Sequence, residues 1–243
     1  MKLRIAHLYP DLLNLYGDIG NITTLTKRCT WRGIKVCTDQ IYGNEPIHFS
    51  DYDLIFLGGG SDREQLLVRD KLMKMKNEIS SYVEDGGVLL AVCGGYQLLG
   101  SYYKLKDETI KGLEILNIQT EIGSGRLIGD IVIENNDFGT IVGFENHGGR
   151  TFINDHTPLG RVLYGSGNND TDSERCEGVI YKNVIATYLH GSLLPKNPAL
   201  ADHIIRLMLE QRGESAQLSP LDDTAENEAH EYIVKRFVGI GKK

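Results

Sequence analysis

The sequence predicts an α/β fold: a central, mostly parallel sheet covered by helices, with antiparallel strands in the second half. Three observations carry that expectation. Apolar strand-like runs alternate with helix-period segments through the first hundred residues. Those runs are apolar at consecutive positions, as in strands buried on both faces of a parallel sheet. From about residue 105 the pattern changes to glycine-punctuated alternating segments, which read as hairpins.

The elements follow in order. Residues 3–9 read as a strand, and residues 18–32 as a helix closed by Gly33. Residues 34–41 and 53–57 give the second and third strands. Gly58, Gly59 and Gly60 then turn the chain into one long helix over 62–84, where Leu72, Met75, Ile79, Tyr82 and Val83 fall on one face. Residues 88–92 form a fully apolar strand that runs straight into Cys93, and 94–103 reads as the next helix. In the second half 105–163 is expected to hold short antiparallel strands, such as 127–134 and 140–144. A strand pair follows around Lys182 and Asn183, over 179–180 and 184–189. Helices are expected over 198–212 and 222–237. The whole of 1–243 reads as a single domain with a helical tail from 214.

Composition bounds the function. The chain has 243 residues, 41% of them hydrophobic and 24% charged, with a net charge of −7. These values suit a globular domain large enough for a sizeable core. No basic cluster stands out, so nucleic acid is not expected as a partner. No apolar run approaches the roughly 20 residues that span a bilayer, so direct membrane insertion is not expected. The four cysteines show no C-x-x-C spacing, so neither a zinc site nor a redox motif is expected, and reduced thiols in a cytoplasm are. The phosphate-binding pattern G-x-x-x-x-G-K-[ST] does not occur. Neither a metal nor an organic cofactor is expected.

The chemistry concentrates at Cys93. A buried strand running into Cys93-Gly94-Gly95 and then a helix is the arrangement of a nucleophile elbow. A thiol at a helix N-terminus feels partial positive charge, which favours the thiolate. The Gly94 N–H is placed to meet a developing oxyanion. The competing reading is a plain buried cysteine ending a core strand. A nucleophilic thiol also needs a base. His190 follows an apolar strand, and His147 lies in Glu145-Asn146-His147-Gly148-Gly149-Arg150. Spacing alone does not choose between them.

Three segments together resemble the class I glutamine amidotransferases of the cobyric acid synthase type. They are the run from Gly58 to Gln65, the elbow from Cys93 to Gln97, and Tyr188-Leu189-His190-Gly191. Segments 11–21, 139–150 and 164–169 tighten the likeness to glutaminase subunits that serve a MurT-like ligase, and it covers about residues 3–213. The resemblance implies that Cys93 is the nucleophile and His190 its base. It also implies oxyanion donors at Gly60 and Gly94, and an arginine, Arg126, that grips L-glutamine. It implies a heterodimer with a MurT-like ATP-dependent Mur ligase subunit, which amidates the D-glutamate of lipid II. Two other readings stand beside it: a glutaminase for a cobyrinate-type synthetase, and a catalytically inactive regulatory relative. One departure matters. Most of the class place a glutamate two residues after the histidine, and here Ser192 holds that position. Asp18 and Glu64 are candidates for the missing acid by motif alone.

Overall fold

The computed structural model describes residues 2–43, 47–171 and 175–239. The first sheet is built from β1 (Lys2–Leu8), β2 (Lys35–Ile41), β3 (Leu54–Leu57), β4 (Leu89–Val92), β11 (Val179–Tyr181) and β12 (Val184–Thr187). Their order is β11-β12-β4-β3-β1-β2, and only the β11–β12 pair is antiparallel. Every residue of β3, β4 and β12 is buried. That burial explains their continuous apolar runs, since helices cover both faces.

The helices of the first half are α1 (Ile19–Trp31), α2 (Asp62–Lys74), α3 (Lys76–Glu84) and α4 (Gly94–Leu99). The single helix expected over 62–84 is two. The chain breaks at Met75, with φ −103° and ψ 7°. Leu72 and Ile79 are both buried, so the apolar repeat runs unbroken across the bend and does not betray it. The helix expected over 94–103 ends at Leu99. Gly100 turns extended, and Tyr102–Lys104 becomes strand β5. Leu98, Leu99 and Tyr103 are buried in either geometry, which is why the pattern looked helical.

The second sheet joins β5 to β6 (Thr109–Lys111), β7 (Gln119–Asn135), β9 (Gly160–Tyr164) and β10 (Cys176–Glu177), with β8 (Gly139–Phe152) paired to β7. Instead of several short strands, β7 and β8 form one long antiparallel hairpin. Its register slips between Ile122 and Leu127. That irregularity lifts Gly123–Arg126 out of the ladder, as bulges commonly do beside functional sites.

Helix α5 (Pro198–Gln211) packs by its buried Leu200, Ile204, Ile205 and Met208. The tail helix α6 (Thr224–Phe237) buries no residue. It is held by polar ties: Arg28, buried in α1, binds Asp202 of α5 at 2.7 Å and Asp223 at 2.5 Å. His230 bonds Thr140 at 2.7 Å and the Lys196 carbonyl at 2.8 Å. No helix among the described residues is long and apolar enough to cross a membrane.

Candidate active site

Three neighbouring parallel strands end at one edge of the first sheet. Strand β3 delivers Gly58, β4 delivers Cys93, and β12 leads through Tyr188 and Leu189 to His190. The Cys93 N–H donates to the Thr187 carbonyl at 2.8 Å, which locks the two strand ends together. In open α/β sheets such carboxyl ends are where ligands bind.

Cys93 has φ 51° and ψ −107°, a strained backbone for a residue with a side chain, of the kind held in place at functional sites. The turn is very tight. A β-carbon on Gly95 would sit 2.5 Å from the Leu57 carbonyl oxygen, and one on Gly94 2.7 Å from the Gln65 side chain. Helix α4 starts at once, so the Gly94 N–H has no partner within the helix and acts on the thiol.

A cavity of about 720 Å³ opens over Cys93. Gly60, Gln65, Gln97, Arg126 and His147 share its wall. The glycine turn is bonded almost throughout. Gly58 and Gly60 carbonyls accept from Gly95 N–H at 3.1 Å and Gln65 Nε2 at 3.1 Å. Gly59 donates to Asp18 Oδ2 at 2.7 Å and accepts from Leu15 N–H at 2.9 Å. Among the described residues no hydrogen bond engages the Gly60 N–H, and Gly60 lines the cavity.

Arg126 stands on the lifted segment of β7. Its Nε and Nη2 each bond Asn146 at 2.8 Å, to the side-chain and main-chain oxygens. The guanidinium is thereby fixed at the cavity mouth, and its charge acts on both Cys93 and His190.

His190 is brought to the same edge but not onto the cavity wall. It is 1% exposed and held by a two-way backbone bridge to Phe144. Burial, with the charges of His147 and Arg126, lowers its pKa to about 4, so it is neutral near pH 7. His147 does reach the wall. It stacks on Tyr188 at 3.7 Å between ring centroids, and its Nδ1 bonds the Gly149 carbonyl at 2.8 Å. The thiolate expected from the helix N-terminus is not favoured. Burial first, and the Asp18 charge second, push Cys93 up to about 12, against the lowering by Gly94 N–H and Arg126. At 8% exposure, desolvation outweighs one amide dipole.

The two acids raised by motif part company. Glu64 closes a capping box with Ser61 at the start of α2. Asp18 points into the glycine turn instead. Ser192, in the place of the usual glutamate, bonds the Gly17 carbonyl at 2.8 Å. A β-carbon on Gly20 would lie 2.2 Å from Ser192 Oγ, so α1 leaves no room there for a longer side chain. Gln65 and Gln97 were not singled out from the sequence. Each stands four residues after a turn residue, Ser61 or Cys93. One helical turn brings each back to the cavity, and that spacing was the available signal.

A strained cysteine elbow on a parallel sheet, facing backbone amides and an arginine, defines a thiol-dependent acyl-transfer site of the class I amidotransferase type. Comparison with known proteins narrows this. Residues 4–198 match the CobB/CobQ-like glutamine amidotransferase domain, and the chain belongs to that family of enzymes. It is 47% identical to lipid II isoglutaminyl synthase (glutamine-hydrolyzing) subunit GatD of Staphylococcus aureus, over 97% of this chain and 96% of that one. The Streptococcus pneumoniae protein of the same name is 43% identical, over 95% and 90%. Among solved structures, a crystal structure of a glutamine amidotransferase aligns with TM-score 0.58 at 18% identity, covering 84% of this chain and 98% of that one. That likeness supports the fold.

Proposed function

We propose that the chain is the glutaminase subunit of a lipid II isoglutaminyl synthase. It hydrolyses L-glutamine to glutamate and passes the ammonia to a MurT-like ATP-dependent ligase, which amidates the D-glutamate of lipid II. The near-full-length similarity to two GatD subunits supports the assignment. The observation that carries the chemistry is Cys93 on the wall of a cavity of about 720 Å³, beside backbone amides and Arg126.

The reaction follows from the site. Arg126 holds the glutamine α-carboxylate through charged hydrogen bonds. Cys93 Sγ attacks the side-chain carboxamide carbon, and neutral His190 takes the thiol proton. Gly60 and Gly94 N–H groups stabilise the oxyanion. As the tetrahedral species collapses, the proton passes to the leaving ammonia and a thioester remains. Water, deprotonated by His190, then releases glutamate. Before glutamine arrives, thiol and imidazole are both neutral; charge separates only when the oxyanion donors receive it. Ammonia loses its nucleophilicity once water protonates it, so a closed path to the ligase is required. The ligase holds the lipid substrate, and the pair works in the cytoplasm.

The test is glutamate release by the chain co-expressed with the ligase. Cys93→Ala abolishes it while the two proteins still co-purify. Arg126→Ala lowers kcat/KM for glutamine by about 10- to 100-fold, the worth of a charged hydrogen-bonded contact. Hydrolysis surviving Cys93→Ala would overturn the reading.

A further inference from the structure

Asp18 is a buried carboxylate with an unusual allegiance. It stands at the N-cap of α1, yet its side chain does not cap that helix; Asn14 Oδ1 takes the Ile19 N–H instead, at 2.9 Å. The carboxylate crosses to the glycine turn and accepts the Gly59 N–H at 2.7 Å. Its other oxygen, Oδ1, is buried with no hydrogen-bond partner among the described residues. A carboxylate so poorly satisfied is costly to bury, and the helix it begins does not need it. Its surroundings point to another use. A β-carbon on Gly59 would lie 3.1 Å from Cys93 Cβ and 3.3 Å from Asp18 Oδ2. Gly59 is therefore wedged between the nucleophile and this carboxylate.

We infer that Asp18 is a positioning residue: by holding the Gly59 amide it sets the plane of the next peptide, so that the Gly60 N–H is aimed at the oxyanion formed on glutamine. The Leu15 N–H holds the Gly59 carbonyl at 2.9 Å and Gln65 Nε2 holds the Gly60 carbonyl at 3.1 Å, so Asp18 fixes the near flank of a peptide that is also held at its own oxygen and at its far flank. This inference rests on the reading of Gly60 as an oxyanion donor. It differs from a role for Asp18 as the acid behind the histidine. The charges that act on His190 are those of His147 and Arg126, and the Asp18 charge makes Cys93 harder to ionise, the reverse of activation.

The experiment compares Asp18→Ala and Asp18→Asn in the full chain co-expressed with its ligase, with Cys93→Ala in parallel. Two reactions of Cys93 are followed: glutamine hydrolysis, which needs an oxyanion site, and alkylation by iodoacetamide, which does not. Asp18→Ala is expected to lower kcat by about 10²- to 10³-fold, the usual loss for one oxyanion donor, with KM within about threefold. Asp18→Asn keeps an oxygen for the Gly59 N–H, so kcat is expected within about tenfold of the parent. Alkylation of Cys93 is expected to be no slower in either variant, because the Asp18 carboxyl, raised to about 7 by burial, no longer opposes ionisation of the thiol. Wild-type kcat in Asp18→Ala would overturn the inference, as would Asp18→Asn being as impaired as Asp18→Ala. Alkylation collapsing together with kcat would also overturn it, by showing general damage to the site. If Cys93→Ala retained hydrolysis, the fault would lie in the catalytic reading itself.

Discussion

At Cys93 two local fields compete. The Gly94 amide and Arg126 favour the thiolate, while burial and Asp18 favour the thiol, and the balance stands at about 12. Only the thiolate alkylates, and a raised pKa keeps its fraction small and rising through the whole accessible range. Alkylation of Cys93 in the chain without glutamine, followed on its own peptide, should rise about tenfold per pH unit from pH 7 to pH 10 with no plateau. A plateau below about pH 9 would show a thiol activated at rest. His190, held down to about 4 by burial, adds no second inflection in that window. Sequence reasoning placed Cys93 correctly in its elbow but favoured the wrong ionisation. Helix position is written in neighbouring residues, whereas the charges of Asp18 and Arg126 reach Cys93 from other elements.

Individual elements carry the site differently. Strands β3, β4 and β12 were legible because each is short and apolar, with Gly58 ending β3 and Cys93 ending β4. Their adjacency was not legible. It depends on β12 crossing back from the far end of the chain to pair with β4 through Thr187 and Val92. The break at Met75 was hidden because Leu72 and Ile79 keep one buried face across it. The β7–β8 hairpin was read as fragments because glycines at 123, 125 and 129 suggested turns. In the structure Gly123 and Gly125 lie in the bulge that carries Arg126, while Gly129 pairs with Glu145 in the ladder. Helix α6 was expected as a helix, but its attachment lies in the Arg28–Asp223 pair, the His230 hydrogen bonds and the Tyr164–Phe237 stacking, which no local pattern announces. Arg28 is 2% exposed and bridges α1 to Asp202 and Asp223. Removing one partner of a buried pair typically costs about 3–5 kcal/mol. Arg28→Ala should therefore lower unfolding stability in urea by that order, and expose the tail to proteolysis beyond Gly213. A loss within about 0.5 kcal/mol would show that the pair contributes little and that α6 is held by its other contacts.

At the scale of the whole molecule, two sheets divide the labour. The parallel sheet presents the nucleophile, the glycine turn and the histidine on one edge. The long hairpin of the second sheet reaches over that edge with Arg126 and His147, which line the cavity with Cys93. Ser192 ties the His190 loop to the turn before α1 through the Gly17 carbonyl. The most direct measurement uses the co-expressed complex, lipid II, ATP and two nitrogen sources. The account predicts that Cys93→Ala abolishes amidation from glutamine and leaves amidation from added ammonium salts intact. Glutamine-dependent amidation persisting in that variant would contradict it.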